Sequence, residues 1–143
     1  MISIKNISVI GLGKLGAPLA YFLASKGFKI YAYDLSKTIR HSLKNKKNPY
    51  QEKNLQNFIN KFHEKVVIED NLDKLIKKTQ VTFIVLPTPS NKNGLFDNSY
   101  IINCLKKLKR LISKKRKKHL INITSTVMPG SCNDVFLKVL KKG

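Results

Sequence analysis

The chain has 143 residues, enough for one domain with its own core and too few for two ordinary ones. Its 25 lysines and three arginines face eight acids for a formal net charge of +20, while 42% apolar residues keep it in the globular class. No apolar run approaches the roughly 20 residues that cross a bilayer, no signal-peptide pattern opens the chain, and Cys104 and Cys132 form neither a CxxC pair nor a metal spacing. The expectation is a cytoplasmic protein with reduced thiols, no membrane contact and no metal.

The first predicted element is a short apolar strand, Ile7 to Ile10, which runs directly into Gly11-x-Gly13-x-x-Gly16. Leu15, Leu19, Phe22 and Leu23 then recur at the spacing of one helix face. A second apolar run, Phe28 to Tyr33, stops at Asp34, so residues 6–34 read as a β-α-β unit with an acid at the tip of its second strand. Ser36 is placed to cap a helix to Lys44, followed by a loop over 44–51 fixed by Pro49. Leu55, Ile59 and Phe62 predict a helix over about 52–61, Val66 to Ile68 a strand, and Asn71 to Lys78 a helix.

Val81 to Leu86 is an unbroken β-branched and aromatic run, as expected of a parallel strand covered on both faces. It ends in the rigid loop Pro87-Thr88-Pro89-Ser90. Ile101, Leu105, Leu108 and Ile112 mark a helix over about 99–113, whose opposite face carries Lys106, Lys107, Lys109 and Arg110. An all-basic solvated turn, 114–118, leads to a buried strand over 120–124, a polar loop over 125–131 and a last helix over 133–142. Strands and helices alternate throughout, which predicts a doubly wound α/β fold on a parallel sheet. The loops at Gly11, Thr88 and Thr126 each follow a strand of that sheet and emerge along one edge, where such folds bind ligands.

The chemistry read from the opening unit is dinucleotide binding. Gly11 allows the tight turn, Gly13 allows a pyrophosphate to approach the backbone, and Gly16 allows the helix to pack closely on the sheet. Lys14 and Leu15 lie in the same turn, at the helix N-terminus whose N–H groups and dipole attract an anion. Asp34, 18 residues beyond Gly16, is placed for the ribose hydroxyls and repels a 2′-phosphate, favouring NAD over NADP. The alternative for Asp34 is a turn or capping residue, for Thr88 and Thr126 a hydroxyl serving local backbone, and for Lys14 a solvated side chain. The lysine excess fits compositional drift. It also leaves open a basic module binding nucleic acid through residues 106–118, although scarce arginine counts against specific recognition.

Several stretches together resemble the NAD-binding domain of the UDP-glucose/GDP-mannose dehydrogenases, most nearly the UDP-glucose 6-dehydrogenase branch. They are Val9 to Ala20, Tyr33-Asp34, Pro49-Tyr50-Gln51-Glu52 before Leu55, Val85 to Ser90 with Gly94 and Asp97, and Thr124 to Ser131. The resemblance implies a Rossmann-type domain serving oxidation of a sugar nucleotide's C6 alcohol to a carboxylate with two NAD. It implies cofactor contacts from Gly11, Gly13, Lys14, Leu15, Gly16, Asp34, Lys37, Thr88 and Thr126, with Thr126 also ordering the catalytic site. The family's catalytic cysteine and its partners fall downstream of anything here, and Cys104 and Cys132 read as structural. The expectation is therefore a cofactor-binding domain that is inactive alone, truncated before the substrate domain, with homodimerisation and the UDP-sugar site belonging to the longer enzyme. UDP-N-acetylmannosamine and GDP-mannose are alternative substrates. A 3-hydroxyacid dehydrogenase of the 6-phosphogluconate type shares the opening unit but lacks the Pro-Thr-Pro and Ser-Thr-Val-Met-Pro-Gly loops.

Overall fold

A computed structural model describes residues 4–115 and 117–141. Five strands, β1 (Asn6–Ile10), β2 (Lys29–Tyr33), β3 (Val66–Ile68), β4 (Val81–Ile84) and β5 (Leu120–Ile123), form one sheet in the order β3-β2-β1-β4-β5. Every pairing is parallel. Between them run α1 (Gly16–Ser25), α2 (Lys37–Lys44), α3 (Leu55–Phe62), α4 (Leu72–Lys78) and α5 (Ser99–Ile112). A π turn (Cys132–Phe136) leads into α6 (Leu137–Lys141).

Alternation along each strand divides the core into two layers. Ile7 and Val9 of β1, with Ile30 and Ala32 of β2, face a cluster completed by α1, Leu43 of α2, and Leu55 and Ile59 of α3. Ile10 and Ile84 face the other side, against Leu75 and Ile76 of α4, Ile101, Cys104, Leu105 and Leu108 of α5, and Phe136. Helix α2 starts as the sequence predicts, with Ser36 accepting from the Ile39 N–H, whereas α4 starts at Leu72 rather than at residue 71, because Asn71 caps it by accepting from the Asp73 N–H.

Several expectations change. The face of α1 turned to the core is Ala17, Ala20, Tyr21 and Ala24, whereas Leu15 and Phe22 are 59% and 49% exposed. The start of the helix lies so close to the glycine turn that a Cβ at Gly16 would collide with the Gly11 carbonyl oxygen. Helix α3 begins at Leu55 rather than at residue 52, because Asn54 adopts the left-handed conformation (φ 65°) just before it. Strand β4 ends at Ile84: Val85 N still donates to Ile10 O, but Leu86 N donates to the Ser125 hydroxyl instead of to a strand. Strand β5 is not buried: Leu120 is 60% exposed, because β5 is the last strand of the order and has no neighbour beyond it among the described residues. Cys104 is buried as expected, but Cys132 is exposed and packs no core. Residue 142, assigned to the last helix, and Arg116 of the basic turn lie outside the described residues.

The basic turn is only partly solvated. Lys115 folds back and its ammonium donates to Ile76 O (2.7 Å) and Thr79 O (2.5 Å), capping the C-terminus of α4. Its third contact is His119 Nδ1 at 3.1 Å. A lysine ammonium has donors only, so Nδ1 must accept, and the imidazole is neutral with its proton on Nε2. That proton meets Thr82 Oγ1 at 2.7 Å, and Thr82 Oγ1 meets the buried Ser8 Oγ at 2.6 Å. Ser8 also reaches Val81 O and Thr79 Oγ1. Lys115, His119, Thr82, Ser8 and Thr79 thus form one continuous hydrogen-bonded chain, at the end of the sheet opposite the loops described next.

Candidate functional site

Sheet register brings distant residues into one row. Ile10 pairs with Tyr33 and with Ile84, and Ile84 with Ile123. The residues that follow, Gly11, Asp34, Val85 and Thr124, therefore leave the sheet side by side. Gly11 N donates to Tyr33 O (2.9 Å), Val85 N to Ile10 O (2.8 Å) and Thr124 N to Ile84 O (2.9 Å). The chain order reverses direction between β1 and β4, and a crevice at the strand carboxyl ends opens at such a point.

The cleft there has a volume of about 610 Å³. Of the sequence-predicted site residues, Gly11, Gly13, Lys14, Leu15, Gly16, Asp34, Thr88 and Thr126 all line it, as does Tyr100 at the start of α5. Lys37 does not; it is the exposed first residue of α2, just beyond the lining residue Ser36. A smaller cavity of about 240 Å³ adjoins the cleft under Tyr33, Leu35, Tyr100 and Cys104.

The three glycines serve different ends. Gly11 sits at φ +92°, and a Cβ there would run into the Val85 carbonyl oxygen. A Cβ at Gly16 would collide with the Gly11 carbonyl oxygen, so what this glycine permits is the closure of α1 on the turn itself. At Gly13 a Cβ would meet nothing within 4 Å, and the residue lines the cleft. No side chain caps the N-terminus of α1, which begins in this turn. Anions are favoured at such an end.

Asp34 is held firmly. Its Oδ2 accepts from Leu12 N (2.7 Å) and its Oδ1 from Ser36 N (2.8 Å). The turn role and the ligand role are therefore not exclusive, because a carboxylate offers about four acceptor positions and two are taken. The backbone beneath it is fixed by Arg40, buried on α2. Arg40 Nη1 donates to Asp34 O (2.5 Å) and Leu35 O (3.1 Å), and its Nε to Asp70 Oδ1 (3.0 Å). Lys44 shares that acid, and the two cations, through their hydrogen bonds, hold the Asp70 carboxyl below the usual range.

The two threonine loops are tied to each other. Thr88 Oγ1 donates to Thr126 O at 2.6 Å, while Ser125 Oγ donates to Leu86 O (2.6 Å) and accepts from Leu86 N (2.9 Å). The Thr88 hydroxyl keeps its lone pairs for a ligand, and Thr126 lies exposed at the same wall.

Sequence reasoning gave no role to Arg40, Tyr50 or Ser125. For Arg40 a signal existed: one of only three arginines in a lysine-rich chain occupies a position where a planar, multidentate donor is needed. Ser125 was visible only as part of a polar loop and of the Thr124 to Ser131 stretch. Tyr50 sits six residues past the loop's basic start at Lys44 and reaches Leu12 O from there, at 2.8 Å.

Residues 5–143 match the profile of the UDP-glucose/GDP-mannose dehydrogenase family, NAD binding domain. The chain is 30% identical over 138 residues to the GDP-mannose 6-dehydrogenase of Pseudomonas aeruginosa, covering 95% of this chain and 32% of that protein. It is 28% identical over 132 residues to a UDP-glucose 6-dehydrogenase of Haloferax volcanii, covering 92% of this chain and 30% of the other. A crystal structure of a ternary complex of GDP-mannose dehydrogenase from Pseudomonas aeruginosa superposes with a TM-score of 0.90 at 29% identity, over 94% of this chain and 31% of that one. The chain thus spans about a third of the length of these relatives.

Proposed function

The chain belongs to the UDP-glucose/GDP-mannose dehydrogenase family, as its NAD-binding domain, and from that premise we propose that the cleft at the strand ends holds NAD for oxidation of a nucleotide sugar at C6. The observation that carries this reading is the gathering of the glycine turn, Asp34, Thr88 and Thr126 around one cavity of about 610 Å³. NAD, when bound, supplies the hydride acceptor.

In this reading the turn over Gly11 to Gly16 offers its N–H groups and the α1 dipole to the pyrophosphate. Asp34 offers its two remaining acceptor positions to the ribose hydroxyls, and its charge disfavours a 2′-phosphate. Thr88 and Thr126 contact the cofactor from the far wall, and Thr126 helps order the reacting end. Lys37, outside the cleft lining, reaches the adenosine side only through its long stem. Neither thiol is suited to covalent chemistry here. Burial pushes Cys104 up to about 12, and Cys132 is not part of the cleft. This domain by itself is therefore proposed to bind cofactor without turnover.

For the substrate we propose a nucleoside-diphosphate sugar, with UDP-glucose, suggested by the loop motifs, and GDP-mannose, supported by the 30%-identical relatives, as the two candidates. Turnover of each by protein containing this domain together with a substrate domain separates them. The cofactor reading is tested by calorimetry with NAD and NADP on the wild-type chain and on Asp34→Ala, with a melting curve for each. We expect NAD to bind more tightly than NADP and to lose at least about tenfold in the variant, the loss of charge-assisted hydrogen bonds. Equal affinity for both cofactors, or an unaffected variant that remains folded, would sink the ribose role.

A further inference from the structure

We propose that Tyr50 is a positioning residue for the cofactor turn: its hydroxyl fixes the Leu12–Gly13 peptide so that the Gly13 N–H is aimed into the cleft. The inference rests on the cofactor reading above and adds to it a residue from outside the glycine turn.

Leu12 lies between two glycines, so the peptide planes on either side of it are soft, and nothing in the turn's own sequence sets their orientation. The structure sets it from outside. Leu12 N–H is taken by Asp34 Oδ2 at 2.7 Å, Leu12 O by Tyr50 Oη at 2.8 Å, and the Leu12 side chain is fully buried. Across a trans peptide the C=O and the following N–H point in opposite directions. A Leu12 carbonyl drawn down to Tyr50 therefore sends the Gly13 N–H the other way. Tyr50 packs against the core layer of α1 and α3 and does not line the cleft, whereas Gly13 does line it and has open space around its Cα.

Tyr50 is itself delivered by a braced loop. Its N–H donates to Asn48 Oδ1 (2.9 Å), Asn48 N donates to Gln56 Oε1 (2.9 Å), and Gln56 Nε2 returns to Lys46 O (2.8 Å). Gln56 belongs to α3, so the helix after the loop holds the loop's start. Burial, and then the nearby Asp34 carboxylate, push the tyrosine hydroxyl above its ordinary value, which keeps it a proton donor. Asp34 and Tyr50 thus grip one residue from its two ends, and the acid that faces the ribose also shares in orienting the pyrophosphate turn.

Tyr50→Phe keeps the ring and removes only the donor. The test is titration of the wild-type chain and this variant with NAD and with adenosine, which lacks phosphate, followed by amide NMR and by melting curves. We expect NAD affinity to fall about fivefold, adenosine affinity to stay within about twofold, and the Gly13 amide resonance to move. A purely structural role would weaken both ligands alike or leave both unchanged while lowering the melting point, and either result overturns the proposal. If wild-type chain binds adenosine and NAD with the same affinity, or neither, the cofactor reading fails first and the positioning role falls with it. If wild-type chain binds NAD well and Tyr50→Phe binds it equally, only the positioning role is lost.

Discussion

Acid should weaken this fold through His119, by an amount the structure allows to be worked out. Burial, and then the adjacent Lys115 ammonium, hold the imidazole down from 6.5 to about 4. Above pH 6.5 the ring is neutral both folded and unfolded and contributes nothing to pH dependence. Between 6.5 and about 4 the unfolded chain takes up a proton that the folded chain refuses, so stability falls as pH falls. At full effect each pH unit in that window is worth about 1.4 kcal/mol. The ring is only half-buried, and solvent screening reduces the total to about 1–2 kcal/mol. Protonation also forces a donor at Nδ1 against the Lys115 ammonium, which faces it at 3.1 Å. His63, lowered by burial in the same direction, adds to the slope but is common to both proteins compared. The assay is urea denaturation from pH 7.5 to 4.5 on wild type and on His119→Gln, whose amide can accept from Lys115 and donate to Thr82 without titrating. Wild type should lose about 1–2 kcal/mol more than the variant across that range. Parallel pH profiles would refute the argument, and a steeper profile in the variant would reverse its sign.

The glycine turn and the two thiols give two further outcomes. Gly11→Ala should cost at least about 3 kcal/mol in denaturant unfolding, since φ +92° is a left-handed conformation and the new methyl meets the Val85 carbonyl; a loss under about 1 kcal/mol would show that the turn relaxes freely. With a thiol reagent at pH 8, the exposed Cys132 should react at once, and Cys104, buried and pushed up to about 12, only on unfolding. Two fast thiols in the native protein would contradict that burial.

Strand and helix order, the cap at Ser36, and the glycine turn were legible in the sequence because each depends on local backbone sterics and on the period of apolar residues. The acid at Asp34 was legible for the same reason: it ends a strand whose register against β1 is fixed by parallel pairing. Which side of α1 faces inward was not, because its apolar period is weak and the choice was made by the closeness of Gly16 to the Gly11 carbonyl. Tyr50 reaching Leu12, and His119 reaching Thr82 and through it Ser8, join residues separated by 37 to 74 positions. No spacing rule carries such pairs. The sequence by itself determined a β-α-β unit with the candidate site residues in order along the chain. Only the tertiary structure decided which of those residues share a cleft, which hydroxyls are tied to one another, and that a buried arginine and a tyrosine reach the Asp34 and Leu12 carbonyls, since those outcomes depend on how the strands are ordered in space and on what each helix covers.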